Sequence, residues 1–344
     1  MICLIVKPLF APWRLLAEQS LLWHLPRDIP GVAAIEKDLA RLEAGWHGEQ
    51  ELDFYLRSFP DERVRIFYDL RLSIEEQKFQ IDTLLLTPNF LAILEAKNYS
   101  GTLSFLPDGQ LVRIISGRRE GFPNPLTQLS RQKYLLKKWL VNHQISVPAI
   151  ESQVVIANPA AIIDNLSGMP SVNDFVTHAE QIPARIQCWF KKYPDKINEA
   201  ALNVLEKQLL AEQIEDVPDV LEKFKIKTAN LQRGVCCDHC RNYSMQRIYG
   251  QWACPFCGIR SQTAHEPMLL DYFLLFGRNM TNRQCRELLM VENRYLIPRL
   301  MKKMNIPIAG SGAGAGLYYK RPAHEIYETY YYQRRKNNIT TKSR

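Results

Sequence analysis

Ile81-Asp-Thr-Leu-Leu-Leu86-Thr-Pro-Asn-Phe-Leu91-Ala-Ile-Leu-Glu-Ala-Lys97 is a pair of short apolar runs joined by the turn signal Thr87-Pro88-Asn89. Runs of this length on either side of such a turn form a β-hairpin. If the loop is symmetric about Pro88 and Asn89, Thr87 faces Phe90 and Asp82 faces Glu95. Opposed side chains of an antiparallel pair share a face, with Cβ atoms about 5 Å apart. Two carboxylates so placed repel each other unless a divalent cation lies between them, and hard oxygen ligands suit Mg²⁺ or Mn²⁺. Lys97, two residues beyond Glu95, projects from the same face. There an ammonium can orient a water or stabilise phosphate charge. The alternative for Glu95 and Lys97 taken alone is a surface ion pair on an exposed strand. The apolar runs and the opposed Asp82 count against it.

Around this hairpin the pattern is regular. A helical stretch at 48–59 precedes strands at 65–72, 79–87 and 91–98, and a further strand pair surrounds 107–109. Asn124 and Pro125 open the next helix as a good cap and first-turn pair. Leu129, Leu136 and Leu140 form its core stripe, and a strand at 153–157 ends the unit. The order α-β-β-β-α-β implies an α/β fold, a mixed central sheet flanked by helices. Glu49, Leu52 and Leu56 share one face of the first helix. The leucines must pack inward, so Glu49 is expected to point at the sheet from the helix's first turn. The alternative is an acid that only favours a helix N-terminus.

Gly48-Glu49, Ile81-Asp82 and the string Glu95-Ala-Lys-Asn-Tyr-Ser-Gly101 together resemble the nuclease-related domain (NERD), placed in the PD-(D/E)xK nuclease superfamily, over roughly residues 35–160. The resemblance implies an acid on the first helix, the Asp and the E-x-K on neighbouring strands, and a Gln on the next helix. Asn124-Pro-Leu-Thr-Gln128 supplies that last element. It implies a metal-dependent phosphodiesterase acting on DNA, with Asp82, Glu95 and the Ala96 carbonyl as ligands of Mg²⁺ or Mn²⁺. Lys97 would then act on the water, with Glu49 and Gln128 completing the site. Ile81 stands where the superfamily's name has proline.

Cys237-Asp-His-Cys240 and Cys254-Pro-Phe-Cys257 are two C-x-x-C pairs separated by 13 residues. Two such knuckles complete a tetrahedral, structural Zn²⁺ site of the zinc-ribbon kind, with no open position for catalysis. Free or redox-active thiols are the alternative, and Cys236 is an alternative first ligand. Gly258 suits the tight turn after the second knuckle. Further on, Thr281 caps a helix running to 290, a turn at 291–293 leads to a second helix at 294–304, and a glycine-rich stretch precedes Tyr318-Tyr-Lys-Arg321. This resembles a helix-turn-helix with a wing-like hairpin. Arg294, Arg299, Lys302 and Lys303 would face phosphates. Pro298 would kink the second helix unless it lies in the first turn. A helical bundle that only packs on the enzyme is the alternative.

The 344 residues carry 44 Lys and Arg against 36 Asp and Glu, a net charge of +8 that attracts polyanions. A hydrophobic share of 46% with 23% charged residues excludes fibrous and largely disordered classes. Lys7 and Pro8 break the apolar start before it reaches signal-peptide length, and no run of about 18 apolar residues follows. Clustered cysteines point to metal binding in a reducing compartment. The expectation is a cytoplasmic protein with DNA as partner, RNA as the alternative, and no membrane. The chain is divided into a lead segment (1–34), a NERD nuclease-like domain (35–192), a helical connector (193–232), a zinc ribbon (233–263), an α-helical helix-turn-helix-like module (264–322) and a basic tail (323–344) whose end is disordered. The competing function is a DNA-binding regulator or adaptor whose nuclease-like domain no longer cuts.

Overall fold

The structure, a computed structural model, describes residues 3–106, 109–147, 149–165, 168–194, 197–311 and 316–332. The end of the basic tail, expected to be disordered, lies outside these residues. So do Pro107 of the expected strand pair and the middle of the glycine-rich stretch. The chain gathers into two compact units, residues 1–9 with 43–215, and residues 10–42 with 216–344. In chain order to the end of the first unit the elements are β1 (Leu4–Lys7), α1 (Trp13–His24), α2 (Val32–Arg57), β2 (Arg65–Ile74), β3 (Gln77–Leu86), β4 (Leu91–Lys97), β5 (Thr102–Phe105), β6 (Leu111–Ile115), β7 (Arg118–Phe122), α3 (Pro125–Asn142), β8 (Ile150–Ile156), β9 (Ile162–Asp164), α4 (Pro170–Phe175), β10 (Val176–His178), α5 (Ile182–Lys192) and α6 (Glu199–Ala211).

The first unit is built on a mixed sheet of order β1-β2-β3-β4-β8-β10, with a smaller sheet β7-β6-β5-β9 beside it. The β2-β3-β4 pairs are antiparallel, and the β1-β2, β4-β8 and β8-β10 pairs are parallel. Leucines of α3 and α6 pack on one face of the large sheet, and Leu52, Leu56, Ile182 and Ile186 of α2 and α5 pack on the other. Leu129, Leu136 and Leu140 form the α3 stripe read from the sequence.

Two expectations need correction. Helix α2 starts at Val32, not at 48, because residues 32–47 are rich in Ala, Leu and Glu, all good helix formers. Glu49 therefore lies deep in the helix, and a first-turn role at a helix dipole falls away. The sequence pattern from Thr177 to about 232 reads as helical, yet Thr177 begins no helix. The β-branched Val176 and Thr177 extend the sheet as β10, in register with Val154 and Val155.

Side chains along a strand alternate between faces. In β4, Leu91 and Ile93 face α3 while Ala92 and Leu94 face α2. Strands β2 and β3 break the alternation at one point. Phe67, Leu70 and Leu72 of β2 all lie on the α3 side, as do Phe79, Ile81, Leu84 and Leu86 of β3. The pairing runs from Tyr68↔Thr83 to Leu70↔Ile81 and skips Asp69 and Asp82. Asp69 takes φ +46°, a strained conformation for a residue with a side chain. Lys7 Nζ donates to the carbonyls of Tyr68 (2.5 Å) and Asp69 (2.7 Å), giving partners to backbone groups at the break.

The second unit contains α1, the first part of α2, α7 (Val220–Phe224), a three-stranded ribbon of β11 (Gln246–Ile248), β12 (Gln251–Ala253) and β13 (Arg260–Ser261), then α8 (His265–Leu275), β14 (Asn279–Thr281), α9 (Asn282–Leu289), α10 (Leu296–Lys303), β15 (Ile308–Ala309) and β16 (Tyr318–Lys320). Asp271 of the apolar helix α8 is buried, and it accepts from Ser20 Oγ (2.6 Å) and pairs with His24 Nε2 (2.9 Å) of α1. Strands β14, β16 and β15 form a small antiparallel sheet around α9 and α10. Among the described residues no helix is long and apolar enough to cross a membrane.

Gly48 sets how closely α2 approaches the sheet. A Cβ there would lie 2.8 Å from Asn98 Cβ and 3.4 Å from Ala157 Cβ, at the ends of β4 and β8. Gly48→Ala gains about 1 kcal/mol of helix propensity but meets an overpacking cost of about 1–3 kcal/mol. The expected outcome is a net loss near 1 kcal/mol, read as a melting temperature a few degrees lower. A melting temperature at or above wild type would mean that the strand ends yield to the new methyl.

Candidate functional site

The hairpin pairs Leu86↔Leu91, Leu85↔Ala92, Leu84↔Ile93 and Thr83↔Leu94. Its loop closes through Thr87, whose backbone N and Oγ1 both donate to the Phe90 carbonyl, at 3.1 and 2.7 Å. The pairing ends at Thr83↔Leu94, in the register a symmetric loop requires, and Asp82 and Glu95 are the next residues of their strands. Asp82 Oδ2 accepts from the Ala96 backbone N at 3.2 Å. The N–H and C=O of one strand residue lie on the same edge. The Ala96 carbonyl therefore also faces the gap that opens where β3 stops pairing.

Glu95 is only 1% exposed, yet it is thoroughly hydrogen-bonded. Its Oε1 accepts from Lys97 Nζ and from Gln128 Nε2, each at 2.6 Å, and its Oε2 accepts from Gln132 Nε2 at 2.6 Å. Lys97 Nζ also donates to Gln128 Oε1 at 3.1 Å. Asn124 caps α3 through its side chain, which accepts from Leu126 N at 2.9 Å. The cap fixes the helix start, so Gln128 and Gln132, one turn apart, meet the same carboxylate. Sequence reasoning missed Gln132, although its spacing of four from Gln128 was a legible signal.

Several acids crowd this corner. Burial, then Glu95 and Glu49, pushes the Asp82 carboxyl well above the usual range. Burial, then Asp69 and Glu95, pushes Glu49 up to about 8. Burial draws the Lys97 ammonium down, but Glu95 and Asp82 outweigh it and hold it above the ordinary lysine value. Asp69 and Lys7, whose ammonium is lowered by burial, were also missed. Both enter through the break in β2, which no sequence pattern marks. The donor set of carboxylates and one carbonyl is all hard oxygen and suits Mg²⁺ or Mn²⁺. Acids that raise one another's pKa values are the electrostatic counterpart of a cation site.

The ribbon brings Cys237, Cys240, Cys254 and Cys257 together. Among the described residues they are the group of three or more Cys, His, Asp or Glu side chains whose ligand atoms all lie within 4.8 Å of one another. The Cys237–Cys257 and Cys240–Cys254 sulfurs are 3.6 and 3.4 Å apart. Four sulfurs at about 2.3 Å from a tetrahedral zinc would stand roughly 3.8 Å apart, so the set fits Zn²⁺. The two knuckles are alike. Arg241 N donates to Cys237 O (2.9 Å), Gly258 N donates to Cys254 O (3.0 Å), and both donor residues have positive φ. Cys236 is buried and outside the cluster.

In the C-terminal module Thr281 and Gln284 form a capping box at the start of α9. Helix α10 begins at Leu296, so Pro298 lies in its first turn, where a missing N–H costs nothing. Arg299, Lys302 and Lys303 share the exposed face of α10, opposite the buried Ile297, Leu300 and Met301. Arg294 is not on that helix. Asn293 Oδ1 accepts from Tyr295 N (2.9 Å) and holds this stretch as a turn, and the Arg294 guanidinium stacks on the Tyr295 ring at 4.8 Å.

No curated protein and no solved structure matches the chain. One protein-family model does, and it covers residues 44–157, the stretch that runs from just before Gly48 through β8 and so takes in Glu49, Asp82, Glu95, Lys97, Gln128 and Gln132. The chain carries a nuclease-related domain at residues 44–157.

Proposed function

We propose that the first unit is a metal-dependent nuclease that hydrolyses phosphodiester bonds in DNA, and that the ribbon and the helix-turn-helix-like module bind nucleic acid. The observation that carries the reading is the closeness of the Asp82 and Glu95 carboxyls where the hairpin pairing ends, with the Lys97 ammonium 2.6 Å from Glu95. In this reading Asp82, Glu95 and the Ala96 carbonyl hold Mg²⁺ or Mn²⁺. When bound, the ion supplies Lewis acidity toward the phosphoryl oxygen and a more acidic water. The chain's own groups do the rest. Lys97 presents an ammonium to the charge that gathers on the phosphate. Gln128 and Gln132 fix the rotamer of Glu95, and Glu49 brings a further carboxylate from α2 that can accept a hydrogen bond from the attacking water. The net charge of +8 and the basic face of α10 support a polyanionic partner. Zn²⁺ held by the four cysteines would be structural, since no coordination position remains open.

One observation favours the second reading, a regulator or adaptor that does not cut. Both oxygens of Glu95 already accept from protein donors. Cleavage of plasmid and linear DNA by the full chain decides between the two. The expected result is cutting that requires Mg²⁺ or Mn²⁺ and stops with EDTA. Asp82→Asn and Lys97→Ala should each slow it by about 10²-fold or more while keeping the fold. Gln132→Leu should instead raise the Mg²⁺ concentration for half-maximal rate by roughly tenfold, the usual penalty for losing a partner of a ligand. A folded Asp82→Asn protein that cuts at the wild-type rate would overturn the assignment, and a wild type that cuts no substrate would select the adaptor.

The ribbon gives an independent prediction. Elemental analysis of freshly purified, reduced protein should find one zinc per chain, and Cys254→Ser should lose it along with the stability of the second unit. Absence of zinc from the wild type would leave the cysteines as thiols.

A further inference from the structure

The smaller sheet of the first unit is joined directly to the active-site strand. After Lys97 the chain runs through Asn98-Tyr-Ser-Gly101 into β5, and Gly101 (φ +83°) passes so close to β6 that a Cβ would lie 2.4 Å from the Ile114 carbonyl oxygen. The register then leads outward. Thr102 pairs with Ile114, Ile114 with Arg119, and Ile115 with Arg118. Arg119 is thus two strand spacings, about 10 Å, from Thr102. The end of the β6–β7 hairpin nearest the catalytic corner is the end that carries both arginines.

A packed chain of contacts holds the hairpin there. The Tyr99 ring lies 5.0 Å from the Phe122 ring, and the Arg113 guanidinium lies over Phe122 at 4.9 Å. The Tyr99 phenol, pushed up by burial, also lies in the fields of Lys97, Glu95 and Arg113. Arg113 takes the hairpin's acid, Glu120, at 2.5 Å. Arg118 and Arg119 are exposed, and among the described residues neither guanidinium has an ion-pair or hydrogen-bond partner. They project from opposite faces of an edge strand. The turn between the strands, Ser116-Gly117 with φ +48° and +74°, has the positive angles of a tight two-residue hairpin, which keeps the tip short and stiff. Two unpaired arginines on a stiff edge beside a phosphodiesterase site are matched by a polyanionic chain that extends past the reacting bond. Phosphates of one strand recur at about 3.4 Å along a duplex axis, so the two strand spacings beyond Thr102 alone span some three nucleotides.

We propose that the β6–β7 hairpin is an arm of the active site that grips the phosphodiester backbone of the nucleic acid through Arg118 and Arg119, a few nucleotides from the bond cut. The position of the arm rests on the nuclease reading above; its grip on phosphate does not.

The test compares the full-length Arg118→Gln/Arg119→Gln protein with wild type and with a charge-matched control, Lys191→Gln/Lys207→Gln, which removes two exposed cations elsewhere on the same unit. Affinity for a fluorescently labelled DNA duplex of about 30 base pairs is measured by anisotropy in Ca²⁺ across a salt series, and cleavage is followed separately in Mg²⁺. The arginine variant should bind about tenfold more weakly, with a log–log salt slope shallower by roughly 1.8, the share of two lost phosphate contacts. The control should match wild type. An arginine variant that matches the control in both affinity and slope overturns the arm. If that happens while the wild type cuts, the arm fails and the nuclease reading stands. If the variant loses affinity and slope while the wild type cuts nothing, the hairpin's grip on nucleic acid stands and the nuclease reading fails.

Discussion

A carboxylate left with 1% of its surface at the end of a central strand needs protein donors in place of the water it has lost. Glu95 takes them from Lys97 on its own strand and from Gln128 and Gln132 on α3. Hydrogen bonds to a charged group contribute about 1.5–3 kcal/mol each, and stripping the partner from a buried charge costs about 3–5 kcal/mol. That requirement fixes the rotation of α3. Once Gln128 and Gln132 reach Glu95, Leu129, Leu136 and Leu140 fall on the core side. Site and core are set by a single helix phase, so neither can shift without the other.

On the other side of Glu95 the balance reverses. Asp82 has the Ala96 N–H, while Glu49 and Asp69 add negative charge that raises the carboxyl pKa values around it. The break in the β2–β3 pairing creates this asymmetry. An unbroken strand alternates strictly, and apolar side chains on both sides of the break could not then face the same core. The strained Asp69 backbone is the local cost, and Lys7 offsets part of it by bonding the Tyr68 and Asp69 carbonyls. One end of the site is therefore satisfied by protein, and the other holds carboxyls whose ionisation burial and their neighbours disfavour.

What the sequence made legible was local. The hairpin register from Leu86–Leu91 to Thr83–Leu94 followed from a short symmetric loop, the α3 start from Asn124-Pro125, the sulfur cluster from two C-x-x-C spacings, and the α9 start from Thr281 and Gln284. What stayed hidden was of two kinds. Some features are conformational, such as the positive φ of Asp69, for which an aspartate in a strand gives no sign. Others depend on distant partners. Lys7 meets carbonyls about sixty residues away, and it reads alone as an interruption of an apolar run. Helix α2 was misjudged for a third reason. Its strong helix formers run on without a stop signal, and Gly48, which looks like a boundary, is a packing requirement instead.

The interleaving of the two units bears on the order in which they can be completed during synthesis. Residues 10–42 belong with 216–344, and the whole of 43–215 is made between them. Helix α1, with Leu15, Leu16 and Leu21 buried in the finished protein, must wait for α8 to supply Asp271 and an apolar partner. The gap from His24 to His265 is about 240 residues, or roughly 10–50 s at 5–20 residues per second. The nuclease-like unit gains all its strands within that time, while the earlier helix α1 still keeps a bare leucine stripe. Helix α1 is made well before its partner α8 and is covered late, which leaves it open to chaperones and to misassembly while the protein is being made.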